Sequence, residues 1–146
     1  MCPMKTILVC GAGGFVGSAL VETLSERNIP THGQVQSAHS LDADIQQRLD
    51  AVYYGDLTDR ATAEKIDFQQ YSAVINLAGI AINDPNEARA RELIENNIKV
   101  QTNVADEMIA QGASATRLLA IGSGAIFAQQ GKLISETSDR KDPEKA

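Results

Sequence analysis

Basic residues are in short supply. Lys and Arg number 13 against 19 Asp and Glu, which leaves a net charge of −6. No basic cluster breaks this balance, which argues against a nucleic-acid or anionic-membrane surface. An anionic ligand would have to be held by local backbone geometry rather than by the overall field. Histidine and cysteine are scarce too, limited to His32, His39, Cys2 and Cys10. Without a Cys/His cluster there is no basis for a structural or catalytic zinc site. Cys10 is expected inside the first strand and Cys2 on the free N-terminus. Both are expected as reduced thiols of an intracellular, cytoplasmic protein. No apolar run approaches the length of a membrane span. The N-terminal run is too short for a signal peptide and ends in a glycine turn.

What is present is ordinary globular composition, 43% hydrophobic and 22% charged. A chain of 146 residues suffices for one domain with a real core and not for two. Residues 1–134 are expected to form that domain. Residues 135–146 hold almost no large apolar residue and read as a polar tail.

The chain is organised around Thr6-Ile-Leu-Val-Cys-Gly-Ala-Gly-Gly-Phe-Val-Gly-Ser18. Ile7 to Cys10 reads as a buried strand that stops at Gly11. Gly14 and Gly17 follow at three-residue steps, and Phe15, Val16, Ala19, Leu20 and Leu24 begin an apolar helical period. Strand, glycine turn and helix form the layout that binds a dinucleotide pyrophosphate. Gly11 permits a tight turn. Gly14 lets the backbone approach the pyrophosphate, and Gly17 lets the helix pack closely on the strand. Free N–H groups and the positive end of the helix dipole then face the anion. The plainer reading of the same glycines is a structural strand-to-helix turn. A nucleotide-hydrolase phosphate loop is excluded, because no Gly-Lys-Ser/Thr follows.

The first helix is expected to run from Phe15 to about Arg27, closed by Asn28 and Pro30. Thr31 to Gln36 is the one candidate for a second strand, and its polar, glycine-containing sequence suits an irregular one. No acidic residue stands near its end to hold ribose hydroxyls, and no Arg either; Gln36, Ser37 and His39 occupy the neighbourhood. The choice between NAD and NADP is left open by these residues. Leu41 to Leu49 is a short helical or looped segment, and Ala51 to Tyr54 is the third strand. Thr58 or Asp59 caps a helix from Ala61 to about Ile66. Asp56 has two readings: a turn carboxylate bonded to nearby backbone N–H groups, or an acceptor for the adenine amino group at the sheet's carboxyl edge.

Ala73-Val-Ile-Asn-Leu-Ala-Gly79 is a fourth buried strand whose small terminal residues leave room for a flat ligand. Asn76 either ties down a turn or belongs, with Leu77, Ala78 and Gly79, to a cofactor wall. Asp84-Pro85 starts a long helix that ends near Gln111, with Gly112 as its C′ residue. Leu93, Ile94, Ile98, Val104, Met108 and Ile109 give it an apolar stripe, interrupted by Asn96, Asn97 and Asn103. Asn97 is bonded to solvent or ties the helix to an active-site loop. Arg117 to Ile121 is the fifth strand, followed by Gly122-Ser123-Gly124. Ile121 and Ala125 exclude a hydrolase nucleophile elbow there. Alternating strands and helices give an α/β fold, a Rossmann-like doubly wound parallel sheet of about five strands with helices on both faces. Right-handed crossovers set its order as 3-2-1-4-5.

With these residues in place, the sequence resembles the N-terminal part of an extended short-chain dehydrogenase/reductase of the NAD-dependent epimerase/dehydratase group. Gly11-Ala-Gly-Gly-Phe-Val-Gly17 is similar to the family's G-x-x-G-x-x-G turn, and Gly55-Asp56-Leu57 to its adenine-binding Asp-Leu. Asn76-Leu-Ala-Gly79 is similar to its N-x-A-[AG] segment beside the cofactor. Asn97-Ile-Lys-Val-Gln-Thr-Asn103 resembles its Asn-Val-x-Gly-Thr-x-Asn helix. Ser123-Gly-Ala-Ile-Phe127 resembles its Ser-x-x-Val-Tyr loop, which implies the catalytic serine position for Ser123. The resemblance implies NAD or NADP as cofactor. It also implies a homodimer or partner chain, docked through the 86–111 helix and the open edge of the fifth strand.

The family's catalytic Tyr-x-x-x-Lys has no counterpart. Four residues on from Tyr53, Tyr54 and Tyr71 stand Leu57, Thr58 and Ile75. Gly122 and Phe127 also depart from the family's pattern. General acid–base chemistry needs a group of suitable pKa within reach, and Ser123 alone is a poor base. The expectation is a truncated cofactor-binding domain without epimerase or dehydrogenase turnover on its own. The alternatives are a non-enzymatic nicotinamide-sensing or partner-binding module, and one half of a split enzyme.

Overall fold

A computed structural model of the protein describes residues 6–79 and 87–121. The proposed helix start at Asp84-Pro85, Ser123 with its flanking glycines, Cys2 and the polar tail lie outside the described residues. The chain runs β1 (Ile7–Cys10), α1 (Phe15–Glu26), β2 (Thr31–Val35), α2 (Ala43–Gln47), β3 (Ala51–Tyr54), α3 (Arg60–Glu64), β4 (Ala73–Asn76), α4 (Glu87–Ala110) and β5 (Arg117–Ala120). Single 3₁₀ turns at Ala38–Ser40 and Phe68–Gln70 join these elements.

The five strands pair in the order β3-β2-β1-β4-β5, and all four pairings are parallel. Ile7 lies opposite Thr31 on one side and Ala73 on the other, so β1 is central. Its alternating side chains serve two cores. Ile7 and Val9 pack with Val21, Leu24, Val35 and Leu41 on the α1 face. Leu8 and Cys10 pack with Ile66, Phe68, Tyr71, Val74, Val100, Val104 and Met108 on the α4 face. A strand buried on both faces is what an all-parallel sheet requires.

β2 is the principal difference from expectation. Its polar sequence predicts an irregular strand, yet it pairs regularly with both neighbours. Tertiary partners account for this. The Thr31 hydroxyl donates to Ile29 O at 2.9 Å, and the Thr31 amide donates to Asp50 Oδ2 at 2.9 Å. Gln34, 2% exposed, donates through Nε2 to Gly55 O at 2.7 Å. Gly33 makes room for Leu49, whose Cδ1 lies 2.6 Å from where a Cβ would stand.

The helix ends follow local rules. Asn28 takes φ 55°, and Ile29 N donates back to Leu24 O at 3.0 Å, closing α1. Asp59 caps α3 by accepting from Ala61 N. Gly112 at φ 67° ends α4, with Ala113 N on Met108 O at 2.9 Å. The apolar stripe of α4 splits. Leu93, Val104 and Met108 are buried with Val100, while Ile94, Ile98 and Ile109 are exposed. The buried set recurs at the spacing that faces the sheet, and the exposed set sits to the side of it. Met108 therefore belongs to the core. β5 is exposed along its length.

Candidate functional site

The carboxyl ends of β1, β2, β3 and β4 meet the N-terminus of α1 around one cleft of about 340 Å³. The glycine turn forms its floor. Gly11 adopts φ +76°, and a Cβ there would stand 2.8 Å from Ala78 N, so this position needs glycine twice over. Gly11 N and Ala12 N both donate to Gln34 O, at 2.9 and 3.1 Å, which fixes the turn to β2. A Cβ on Gly17 would meet Gly11 O at 2.0 Å, so α1 packs directly on the turn. Gly14 is different: it is exposed, and a Cβ there would meet only Gly11 O at 3.3 Å. Gly14 is the N-cap of α1 and offers no side-chain cap. The N–H groups of Gly13, Phe15, Val16 and Gly17 have no acceptor among the described residues. These donors, with the helix dipole behind them, make a ready anion cradle.

On the β3 side, Asp56 accepts Thr58 N at 2.8 Å and Gln36 Nε2 at 3.0 Å. The backbone hydrogen bond from Thr58 is the main reason its carboxyl is held below the ordinary carboxylate range. The turn-carboxylate reading of Asp56 is thus seen directly. Leu57 is buried in the core beneath. Asn103 of α4 donates through Nδ2 to Leu57 O at 2.8 Å and to Thr58 O at 3.1 Å, so the long helix holds this loop in place.

On the β4 side, Asn76 is fully buried. Its Oδ1 accepts Ala78 N at 3.2 Å, and its Nδ2 donates to Gln101 Oε1 at 3.0 Å. It ties down the turn that carries Leu77, Ala78 and Gly79. A Cβ on Gly79 would lie 3.2 Å from Asn97 Oδ1, so α4 crosses close over the wall.

Of the expected site residues, Gly11, Gly14, Asp56, Leu57, Leu77, Ala78, Gly79 and Asn97 line the cleft. Phe15 and Val16 do not line the cleft; they are 95% and 60% exposed on the first turn of α1, next to Gly14 in sequence. Gly17 and Asn76 sit behind the wall. Gln34, Gln36, Ser40, Gly55 and Thr58 line the cleft as well and were not singled out as site residues from sequence. The weak polar pattern of β2 was the available signal for the two glutamines. Among the described residues, no group of three or more His, Cys, Asp or Glu is placed to hold a metal ion. None of the described helices is long and apolar enough to cross a membrane.

The sequence matches the profile of the NAD dependent epimerase/dehydratase family over residues 7–145. The chain belongs to that family. Aldehyde reductase 2 of Sporidiobolus salmonicolor is 38% identical over 76 residues, 51% of this chain and 22% of that protein. The fold is similar to that of UDP-glucose 4-epimerase from Bifidobacterium longum, a structure containing NAD+ and UDP. The TM-score is 0.78 at 20% identity, covering 93% of this chain and 42% of that one. A short-chain dehydrogenase/reductase from Vibrio parahaemolyticus gives a TM-score of 0.69 at 23% identity, covering 86% and 63%. The likeness thus spans less than half the length of the epimerase and about a fifth of aldehyde reductase 2. For a NAD-dependent family the cleft fits its cofactor's needs: unpaired donors at a helix start, a glycine floor no side chain can share, and a wall of small residues.

Proposed function

We propose that these residues form the NAD(P)-binding domain of an epimerase/dehydratase- or oxidoreductase-type protein. The observation that carries the reading is the convergence of the open N–H groups of α1, the Asp56 loop and the Leu77–Gly79 wall on one cleft. The pyrophosphate lies on the N–H groups of Phe15 and Val16. Gly14 lets it approach, and Gly11 and Gly17 hold the turn in shape. Asp56 receives the adenine amino group, with Leu57 below the ring. Leu77, Ala78 and Gly79 flank the rest of the dinucleotide, Asn76 fixes their turn, and Asn97 faces them from α4. When bound, the nicotinamide supplies hydride transfer.

Ser123 takes the catalytic serine position by resemblance. No Tyr-x-x-x-Lys occurs in these 146 residues, so they supply no proton-transfer pair and turn over no substrate alone. A nucleotide sugar is the proposed substrate class of the complete protein, in line with the UDP-glucose 4-epimerase likeness. Residues 1–134 make up the domain and 135–146 its tail; the setting is cytoplasmic. The test is calorimetric titration with NADH and NADPH. Micromolar binding to one or both, lost in Gly14→Val and weakened in Asp56→Ala, supports the reading. A folded chain that binds neither removes it. Reduction of NAD(P)+ with nucleotide sugars by the chain alone would overturn the claim of no turnover.

A second reading is a partner-binding module, or one half of a split enzyme. It is favoured by Ile98 and Leu119, 57% and 53% exposed on α4 and β5. Among the described residues β5 is the edge strand of the sheet, and such an edge invites pairing with a second copy or a partner chain. A monomer in sedimentation analysis that also lacks nucleotide affinity would exclude the module.

A further inference from the structure

We propose that Gln101 is a positioning residue for the cofactor. With Asn76 it closes a ring of hydrogen bonds around the backbone of Ala78, which holds the β4 wall at its distance from the glycine floor. The ring thereby sets the affinity for the nicotinamide half of the dinucleotide and not for the adenylate half. The inference rests on the dinucleotide reading above and adds to it a residue behind the wall.

The direction of the ring is determined. Ala78 N donates to Asn76 Oδ1 at 3.2 Å, Asn76 Nδ2 donates to Gln101 Oε1 at 3.0 Å, and Gln101 Nε2 donates to Ala78 O at 3.4 Å. A backbone N–H can only donate and a carbonyl can only accept. The Asn76 amide must therefore turn its oxygen to Ala78, which leaves its NH2 group for Gln101. Gln101 must meet that group with its oxygen, which leaves its own NH2 group for Ala78 O. Both backbone groups of one wall residue are thus held by two side chains that have no second orientation. Asn76 is fully buried, and its other acceptor, Val100 O, lies at 3.5 Å. Without Gln101 a buried amide keeps only that long contact, which is costly.

Ala78 is where the wall meets the floor. A Cβ on Gly11 would stand 2.8 Å from Ala78 N and 3.0 Å from Ala78 Cα. Leu77 N donates to Cys10 O at 3.0 Å, so β1 holds the turn from the floor side. Gln101 holds it from α4. Asn97 and Gln101 are four residues apart and share a face of that helix; Asn97 lines the cleft and Gln101 stands behind it. The sheet order separates the two halves of the ligand. Asp56 follows β3, while β4 lies on the far side of β1. An adenylate therefore occupies the β1–β3 side, and the nicotinamide half meets Leu77, Ala78 and Gly79. The same helix braces the adenine side through a different side chain, Asn103, on Leu57 O and Thr58 O.

The experiment is calorimetric titration of the full chain with NADH and with ADP, on wild type, Gln101→Met, Gln101→Glu and Asn103→Ala. Thermal unfolding of each variant verifies folding. Met keeps the length of the side chain and has no amide, so Gln101→Met opens the ring. It should weaken NADH about tenfold, the worth of one or two neutral hydrogen bonds, and ADP less than about twofold. Gln101→Glu keeps the acceptor that buried Asn76 needs and loses only the donor to Ala78 O. It should show the same selective loss, and it carries the test if the apolar substitution unfolds the chain. Asn103→Ala is the contrast and should weaken both ligands alike. A purely structural role for Gln101 would lower stability and move both ligands together. A folded Gln101 variant that binds NADH as tightly as wild type overturns this inference and leaves the dinucleotide reading standing. So does one that loses NADH and ADP in the same ratio. Failure of wild type to bind either ligand removes both.

Discussion

Replacing Gly17 by Ala isolates one contact, the packing of α1 on the glycine turn. Gly17 is the third residue of a helix, where Ala is favoured over Gly by roughly 1 kcal/mol. Propensity alone therefore predicts a more stable protein. The structure predicts the opposite. The new Cβ would stand 2.0 Å from Gly11 O, 2.9 Å from Gly11 C and 3.0 Å from Ala12 Cα. All three are backbone atoms of the turn, so no rotamer change relieves the overlap. Either α1 slides outward or Gly11 gives up its position against Ala78. Overpacking of a rigid site costs about 1–3 kcal/mol, and a 2.0 Å approach to backbone belongs at the upper end, about 2–3 kcal/mol; against the propensity gain of about 1 kcal/mol, a net loss of about 1–2 kcal/mol is expected. For a domain of this size that lowers Tm by roughly 2–8 °C. Dinucleotide affinity should fall with it, because the displaced helix start carries the N–H groups. Gly14→Val is the control. Its φ of −75° suits any residue, and the new Cβ has 3.3 Å to its nearest neighbour. It should change Tm little while blocking the approach of a pyrophosphate. Urea and thermal unfolding of both variants, with NADH titrations, provide the assay. A Gly17→Ala protein at or above wild-type stability, with unchanged affinity, would refute the packing argument.

Three further outcomes are expected. Asn103→Ala removes the donor to Leu57 O and Thr58 O and should destabilise by about 1–3 kcal/mol in urea unfolding. It should also weaken NADH binding by loosening the Asp56 loop; unchanged affinity would mean that the loop holds itself. Burial pushes the Cys10 thiol up to about 12 from an ordinary 9.0. The unfolded chain then releases this proton near pH 9 while the native state keeps it, so the unfolded state binds fewer protons and stability falls as pH rises from 9 toward 12. The slope is at most about 1.4 kcal/mol per pH unit for this group, and Tyr71, raised chiefly by burial from an ordinary 10.0, adds to the fall in the same direction once the pH passes that value. Denaturant midpoints measured across that range give the slope, and a flat profile would contradict the burial of Cys10. At neutral pH Cys10 should resist alkylation until the protein unfolds, as read by mass spectrometry of the modified peptide.

The strand order and the floor of the cleft were legible in the sequence by itself. Ile7 to Cys10, Gly11, Gly14 and Gly17 carry their meaning within a dozen residues, since turn chemistry and period are local properties of the backbone. Alternating strand and helix patterns, with the right-handed crossover, then leave little choice of sheet. Asp59 as a cap and Gly112 as a stop are local in the same way. Tertiary structure decided the rest, where the partner of a side chain lies far along the chain. β2 looked irregular because Thr31 and Gln34 are polar, and they became ordinary only when Asp50 and Gly55 met them across the sheet. The stripe on α4 was visible, but sequence period does not say where its edge falls. The sheet took Leu93, Val100, Val104 and Met108 and left Ile94 and Ile98 outside. Gln36 belongs to this second group. Its amide gains a fixed direction only from a carboxylate 20 residues away, a pairing that β2 and β3 create by lying side by side and that no local pattern encodes.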